Sequence, residues 1–141
     1  MYRIILMVVR LFYKVPYYLM RIWWLGTRKN FNLEENYAFI KKVTKAANRA
    51  GRVKIESYGL ENIPKENGFI FFPNHQGLFD VLAIIQVCPV PFSVVAKKEL
   101  TNVPFLKQVF ACMKAFMIDR DDVKQSMQVI INAVSYTHLT L

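Results

Sequence analysis

The sequence predicts an α/β fold, a largely parallel sheet flanked by helices and preceded by an N-terminal helical segment at a membrane interface. Three observations carry this expectation. Gly68-Phe69-Ile70-Phe71-Phe72-Pro73 is a short aromatic run bounded by Gly and Pro, and Val81-Leu82-Ala83-Ile84-Ile85-Gln86-Val87 follows with helical length. Phe92-Ser93-Val94-Val95-Ala96 then repeats the strand signal, and strand–helix–strand crossovers of this length favour parallel pairing. Residues 1–26 are almost wholly apolar or aromatic, with Arg3, Arg10, Lys14 and Arg21 as their only charges.

Those four cations are seven, four and seven residues apart. At ~100° per residue they fall on one narrow strip of a helix, and the rest of its surface is greasy. No window of about 18 residues is free of charge, which disfavours a simple spanning helix. No small-residue cleavage site follows a short apolar core, which disfavours a secretory signal. A cationic stripe on an aromatic-rich helix fits one lying in the bilayer interface, with Trp23 and Trp24 as anchors. Pro16 removes a backbone donor and splits the segment into a helical pair. A hairpin-like insertion is the other arrangement.

Residues 27–31 are a basic link. Asn32 then offers a cap with Glu35 three residues on, a capping-box-like start. Tyr37, Ile40, Val43 and Ala47 share one face and Lys41, Lys42, Lys45 and Arg49 the other, so a helix runs from about Leu33 to Ala50, ended by Gly51. Val53-Lys54-Ile55-Glu56-Ser57-Tyr58 alternates with period two and predicts a half-buried strand. Further on, residues 106–114 predict a helix and Ala115-Phe116-Met117-Ile118 a strand. Asp121 or Asp122 caps a last helix with the stripe Val123, Met127, Ile130, Ile131 and Val134. The helical pattern stops at Ser135.

The 141 residues have room for one domain with a modest core. Fifty-four per cent are hydrophobic, and the net charge is +9. That balance suits an anionic partner such as a membrane surface or a phosphorylated substrate. Nucleic acid is disfavoured because the cations stripe a greasy helix instead of gathering on a polar face with stacking aromatics. Cys88 and Cys112 are isolated in apolar surroundings and are expected to be reduced core residues, which points to the cytosolic side. No GxSxG is present and neither Cys has a neighbouring His, so a serine or cysteine hydrolase lacks its signature. One motif histidine and scattered acids imply no metal site.

Chemistry concentrates in Asn74-His75-Gln76-Gly77-Leu78-Phe79-Asp80, an NHxxxxD pattern between the aromatic run and the following helix. The end of a strand in an open α/β sheet is where ligands bind. One nitrogen of His75 can take a proton from a substrate hydroxyl while Asp80 fixes the other, so an alcohol is activated without a protein Ser or Cys. The bland alternative is a histidine at a helix start and an aspartate paired with a lysine. Lys97-Lys98-Glu99-Leu100 lies at the end of the next strand, where lysines can face an anionic substrate. A guanidinium at the end of the last strand, Arg120, suits a bidentate grip on phosphate, against a salt bridge with Asp121 or Asp122.

The NHxxxxD segment resembles the first motif of the glycerolipid acyltransferases, the 1-acylglycerol-3-phosphate acyltransferase family. The K-E-L run followed by Pro104-Phe105, and Met117-Ile118-Asp119-Arg120, are similar to further parts of the pattern. Three departures stand out: Gly77 where Ser is frequent, Lys114 where the second motif has its Gly-rich turn, and Met117 where an aromatic is common. The resemblance implies transfer of a fatty acyl group from a thioester, acyl-CoA or acyl-carrier protein, to the free hydroxyl of a lysophosphatidate-like acceptor in phospholipid biosynthesis. No other cofactor is implied. In that scheme His75 is the base, Asp80 its orienter, and Arg120, Lys97, Asn74 and Gly77 bind substrate. The protein is then expected on the cytoplasmic face of an anionic membrane. The alternative is a non-catalytic basic module that binds membranes peripherally.

Three segments are expected: a membrane-associated helical segment (1–31), the N-terminal part of an acyltransferase domain (32–134), and a non-native tail (135–141) resembling translated sequencing adaptor. The resemblance covers residues 1–134 and lacks the family's later motifs. The domain is therefore expected to be incomplete, and the chain alone inactive and marginally stable.

Overall fold

The computed structural model describes residues 2–66, 68–74 and 77–139. Six helices dominate it: α1 (Tyr2–Leu11), α2 (Val15–Thr27), α3 (Leu33–Ala50), α4 (Leu78–Val87), α5 (Leu106–Cys112) and α6 (Val123–Leu139). Among the described residues the sheet has two strands, β1 (Val95–Lys97) and β2 (Phe116–Ile118). They pair in parallel, Val95 with Phe116 and Lys97 with Ile118, and α5 lies in the crossover. The mixed helical and parallel character agrees with the sequence.

Pro16 splits the N-terminal segment as expected. It sits in the first turn of α2, where a missing N–H costs nothing. The two helices run back along α3. Arg28 and Arg21 at one end share Glu35, with Nη2–Oε distances of 2.6 and 3.2 Å, and both guanidiniums lie over the Trp24 ring. The Arg28 hydrogen bond holds the Glu35 carboxyl below the usual carboxylate range. At the other end Arg10 Nη1 donates to the Ala50 carbonyl at 3.0 Å, closing the C-terminus of α3. Two members of the cationic stripe, Arg10 and Arg21, thus reach α3.

The N-terminus of α3 is capped as the sequence predicts, with Asn32 Oδ1 accepting the Glu35 N–H at 3.0 Å. Its other end differs in detail. Gly51 has an ordinary φ of −76°, and Arg52 takes the left-handed conformation at φ 54°. The N–H groups of Arg52 and Val53 bond to the carbonyls of Arg49 and Asn48, a Schellman arrangement. Gly51 is needed for space: a Cβ there would come within 2.5 Å of Met7 Cε and 3.3 Å of the Arg3 carbonyl.

The core gathers Ile22 and Leu25 from α2, Tyr37 and Ile40 from α3, Ile85 from α4, and Cys112 and Met113 from α5. Phe92 and Val94, which lead into β1, pack against it. Cys88 and Cys112 are free and buried, as expected.

Four expectations are corrected. Residues 53–58 alternate in exposure only from Val53 to Glu56, Ser57 and Tyr58 both being exposed, and they pair with no strand among the described residues. Residues 68–74 likewise join no ladder, and Phe72 is 89% exposed. Both segments have the pattern of a strand but lack a sheet edge and a covering layer, and a strand's stability comes from those neighbours. In α6 the stripe Val123, Met127, Ile130 and Ile131 is exposed instead of forming the core face. The helix meets β2 through its opposite side, beginning with Gln125 and Ser126. It also continues past Ser135 to Leu139, with Tyr136 against Phe116 at a centroid distance of 6.0 Å.

Gly51→Ala requires the Met7 side chain, or α1 with it, to shift and is expected to cost about 1–3 kcal/mol. Thermal unfolding of Gly51→Ala and of Gly51→Ala/Met7→Ala checks this: the double variant, which removes the clashing side chain, should recover most of the loss.

Candidate active site

Parallel pairing brings the C-terminal ends of β1 and β2 together, and the chain's candidate anion-binding side chains collect there. Lys97 is the last residue of β1, and a 3-10 turn, Lys98–Asn102, follows it directly. Lys97 Nζ meets Glu99 at 3.1 Å, and Lys98 Nζ meets Asp119 at 3.4 Å across the two strand ends. The Glu99 carboxyl is held below the usual range by its own backbone N–H and by Lys97. Both ion pairs are solvent-exposed, and such pairs contribute about 0–1 kcal/mol, so a stronger anion can displace the carboxylates at small cost.

Arg120 follows β2, is exposed, and makes no ion pair among the described residues. The salt bridge to Asp121 or Asp122 weighed from sequence is therefore not formed. Asp122 caps α6 instead, its Oδ1 accepting the Gln125 N–H at 3.0 Å. Asp119 Oδ1 accepts the Asp121 N–H at 3.2 Å and tightens the turn that carries Arg120.

The turn before β2 is the one in which Lys114 replaces the expected Gly. Lys114 takes that glycine-like geometry itself, with φ 49°. The Lys114 N–H bonds to the Ala111 carbonyl at 3.2 Å and the Ala115 N–H to the Phe110 carbonyl at 2.9 Å, a Schellman end to α5. A left-handed residue with a Cβ costs roughly 1–2 kcal/mol. The ammonium offsets part of this by lying 3.8 Å from the centre of the Tyr136 ring. The departure from the motif thus leaves the turn geometry intact. A second left-handed position, Phe105 at φ 74°, opens α5 directly after Pro104.

In the NHxxxxD segment, His75 lies outside the described residues. Asn74 ends the extended chain and is exposed. Gly77 immediately precedes α4 in extended backbone that any residue adopts, so Gly there answers no conformational need. Asp80 sits in the first turn of α4, where the helix dipole favours a carboxylate. Its side chain turns back on the loop, and Oδ2 accepts the Gly77 N–H at 3.1 Å. The next residue, Val81, packs with Val94 against the core that also holds Ile85.

Sequence reasoning missed two features. An apolar cleft of about 270 Å³ lies between the extended 71–73 segment and α4, lined by Ile63, Phe71, Phe72, Pro73, Ile84 and Val87 with Cys88. It was hidden because it depends on a segment expected to be a closed strand. Gln125 is the other. Its Nε2 donates to the Met117 carbonyl at 3.0 Å and its Oε1 accepts the Asp119 N–H at 2.9 Å, so one amide side chain acts as the missing neighbour of β2. Ser126 Oγ adds a 2.6 Å bond to the Asp119 carbonyl. Together they fix the strand end from which Arg120 projects.

The acyltransferase family model matches residues 54–140. Three 1-acyl-sn-glycerol-3-phosphate acyltransferases are similar to the chain. That of Borreliella burgdorferi is 30% identical over 82 residues, 58% of this chain and 33% of its own length. That of Bacillus subtilis is 32% identical over 73 residues, 51% of this chain and 36% of its own. That of Saccharomyces cerevisiae is 29% identical over 76 residues, 54% of this chain and 25% of its own. The chain thus spans about a third of the length of the relatives it matches. No solved structure matches it.

Gln125→Ala leaves a strand-edge donor and acceptor without partners and should cost about 1–3 kcal/mol. Hydrogen exchange checks the mechanism: the Asp119 amide should lose protection by at least tenfold more than the β2 amides do.

Proposed function

The chain belongs to the acyltransferase family, and from that premise we propose that it carries the acceptor-activating part of a glycerophospholipid acyltransferase. The acyl group passes from a thioester, acyl-CoA or acyl-carrier protein, to the free hydroxyl of a lysophosphatidate-like acceptor. His75 takes the hydroxyl proton, the oxygen attacks the thioester carbonyl, and the thiol leaves, with no covalent enzyme intermediate. Asp80 holds the imidazole in the tautomer that presents a basic nitrogen to the acceptor. The observation that carries this reading is the Asp80 carboxylate, turned out of its own helix onto the Gly77 N–H two residues from His75. The same bond is the capping contact an acid makes in a helix's first turn, and it holds the carboxylate at the loop that carries the motif.

The acceptor's phosphate is assigned to Arg120, with Lys97 beside it at the same sheet end. Support comes from the lack of an ion pair at Arg120 and from the exposed, exchangeable partner of Lys97. Asn74 and Gly77 border the reacting hydroxyl. The apolar cleft beside the motif is of a chemistry that takes an acyl chain, since its lining offers no charge to the chain's methylenes.

Residues 1–31 are assigned to an anionic membrane surface on the cytoplasmic side. Tyr2, Ile4, Val8, Val9, Trp23 and Trp24 are exposed on α1 and α2, and Phe12 and Tyr13 on the link between them, an apolar concentration that suits an interface. No described helix is long and apolar enough to cross a membrane. At ~1.5 Å per residue α1 and α2 measure about 15 and 20 Å, short of a ~30 Å hydrocarbon core.

The test is acyl transfer to labelled lysophosphatidate by protein made from the gene's complete reading frame. His75→Ala should lower kcat by several orders of magnitude with folding intact, and Asp80→Asn nearly as much through the wrong tautomer. Near-normal turnover in folded His75→Ala would end the mechanism. In the same assay Arg120→Ala should raise KM for the phosphorylated acceptor tenfold or more while that for the acyl donor changes little. Equal effects on both would make Arg120 structural.

A further inference from the structure

The net charge is distributed unevenly along the chain. Residues 1–53 hold eleven of the nineteen Lys and Arg and two of the ten Asp and Glu, a net +9. Residues 54–141 hold eight of each and are neutral. The whole imbalance therefore sits in α1, α2, α3 and their links, outside residues 54–140 that match the family.

Within that part, a cavity of about 300 Å³ opens where α1 gives way to α2, lined by Tyr13, Lys14, Tyr17 and Tyr18 with Lys42 of α3. Its wall is made entirely of hydrogen-bond donors on aromatic or aliphatic stems. Neither ammonium has an ion pair, and none of the three phenol hydroxyls has a hydrogen-bond partner, among the described residues. The Lys14 ammonium rests 5.3 Å from the Tyr13 ring centre, which orders it without neutralising it. Tyr17 and Tyr18 are braced edge-on by Phe39, each at a centroid distance of 6.2 Å. No acid lines the cavity. Two cations without an ion pair and three phenols free to donate, among the described residues, are matched by a compact dianion with several acceptor oxygens.

The segment that carries the recess also has exposed apolar side chains, Phe12 at 75% and Met20 at 66% among them. A polyanionic nucleic acid gains nothing from that border. A lipid whose phosphate enters the recess while its chains pass the apolar face satisfies both.

We propose that the recess at the α1–α2 break, Tyr13, Lys14, Tyr17, Tyr18 and Lys42, is a binding site for the phosphomonoester headgroup of a membrane lipid. It is separate from the acceptor site on the sheet. This rests on the assignment of residues 1–31 to a membrane surface. A phosphomonoester is favoured over a diester because two ammoniums balance a charge of about −2 and three phenols match its free oxygens. The headgroup class is that of the acceptor assigned above, so the segment both docks the protein and selects patches of membrane rich in such lipids.

The experiment measures sedimentation of the 141-residue chain with phosphatidylcholine vesicles carrying either phosphatidate or phosphatidylserine. The contents, about 15 and 30 mol%, give similar surface charge. Wild type should bind the phosphatidate vesicles at least fivefold more tightly. Lys14→Gln/Lys42→Gln should lose that preference yet still bind phosphatidylserine vesicles. Lys45→Gln/Arg49→Gln, which removes the same charge from α3 outside the recess, should weaken both and keep the preference. No preference in wild type, a preference surviving in Lys14→Gln/Lys42→Gln, or tighter binding to a single-stranded oligonucleotide would overturn the site. Two soluble probes separate it from the membrane assignment: dihexanoyl phosphatidate below its micellar range, and inorganic phosphate. If wild type binds neither vesicle but binds dihexanoyl phosphatidate with loss in Lys14→Gln/Lys42→Gln, the recess stands and the membrane assignment falls. Binding of neither soluble probe nor vesicle overturns both, and inorganic phosphate binding as tightly as the lipid overturns the lipid source.

Discussion

The crossing of α2 over α5 at Gly26 and Cys112 determines where the rest of the molecule can go. A Cβ on Gly26 would lie 3.1 Å from the Gln108 carbonyl and 3.3 Å from Ala111 Cβ, so only glycine lets the helices approach this closely. The contact takes Cys112 to 0% exposure and brings its Sγ to 3.4 Å from the Ile22 carbonyl. Burial pushes that thiol up to about 11, which keeps it neutral and inert at physiological pH. Ile22 and Leu25 then fill the space between α3 and α5. From this crossing α5 runs into the left-handed turn at Lys114, the turn starts β2, and β2 ends at the Asp119–Arg120 corner. A helix outside the family match therefore sets the position of a loop inside it. For the same reason α2 is not a detachable tether, since it carries core residues as well as exposed aromatics.

Legibility from sequence follows the range of the interactions involved. The helices were readable because caps and periodicity are local: Asn32 with Glu35, Pro16 at the start of α2, and Asp122 before α6 all stand where the pattern puts them. Strands were readable only as extension. Val53 to Glu56 alternates in exposure, and Phe69 and Phe71 stack edge to face at 4.9 Å, but pairing needs a neighbour that no local pattern encodes. In α6 the apolar stripe gave the helix and misjudged its buried side, because β2 is met through an amide and a hydroxyl. Gln125 is invisible to hydrophobic patterning, being a polar residue that substitutes for a strand. The candidate site divides along the same line. The motif and Arg120 are visible as residue types at a spacing, whereas the partnership of Lys98 with Asp119 needs the parallel register.

Buried polar groups show how the helical layer is held in one arrangement. Asn36 and Asn48 of α3 are 0% and 1% exposed. Asn48 Nδ2 donates to Gln86 Oε1 at 2.6 Å, linking α3 to α4, and Arg28 Nη2 donates to Asn36 Oδ1 at 3.1 Å, linking α3 to the end of α2. Lys41 reaches over to the Cys88 carbonyl and closes the C-terminus of α4, and burial lowers its pKa. Apolar side chains alone allow helices to slide or rotate at little cost. Each of these bonds penalises such a slip by leaving a buried donor or acceptor unpaired. The register of α4 against α3 is thus specified at Gln86 and Cys88, one end of the helix whose other end carries Asp80.

The two functional readings of the sequence, an acyltransferase and a basic membrane-binding module, draw on different residues. The cations and exposed aromatics that favour membrane binding lie in residues 1–53, and the motif, the family match and the sheet-end cations lie in residues 54–140. Residues 54–141 have no net long-range attraction for an anionic surface, because their eight cations are balanced by eight acids. In the proposed function they grip phosphate locally, through direct bonds from Arg120 and Lys97. Residues 1–53 have the opposite character, a net charge of +9 and many exposed apolar side chains, and the proposed membrane contact draws on both. An amphiphilic acceptor stays in its bilayer, so an enzyme acting on it must stand at the surface while its reacting groups remain specific. Separating net charge from chemistry along the chain meets both demands, and the shared core of α2, α3, α4 and α5 keeps the two in fixed relation.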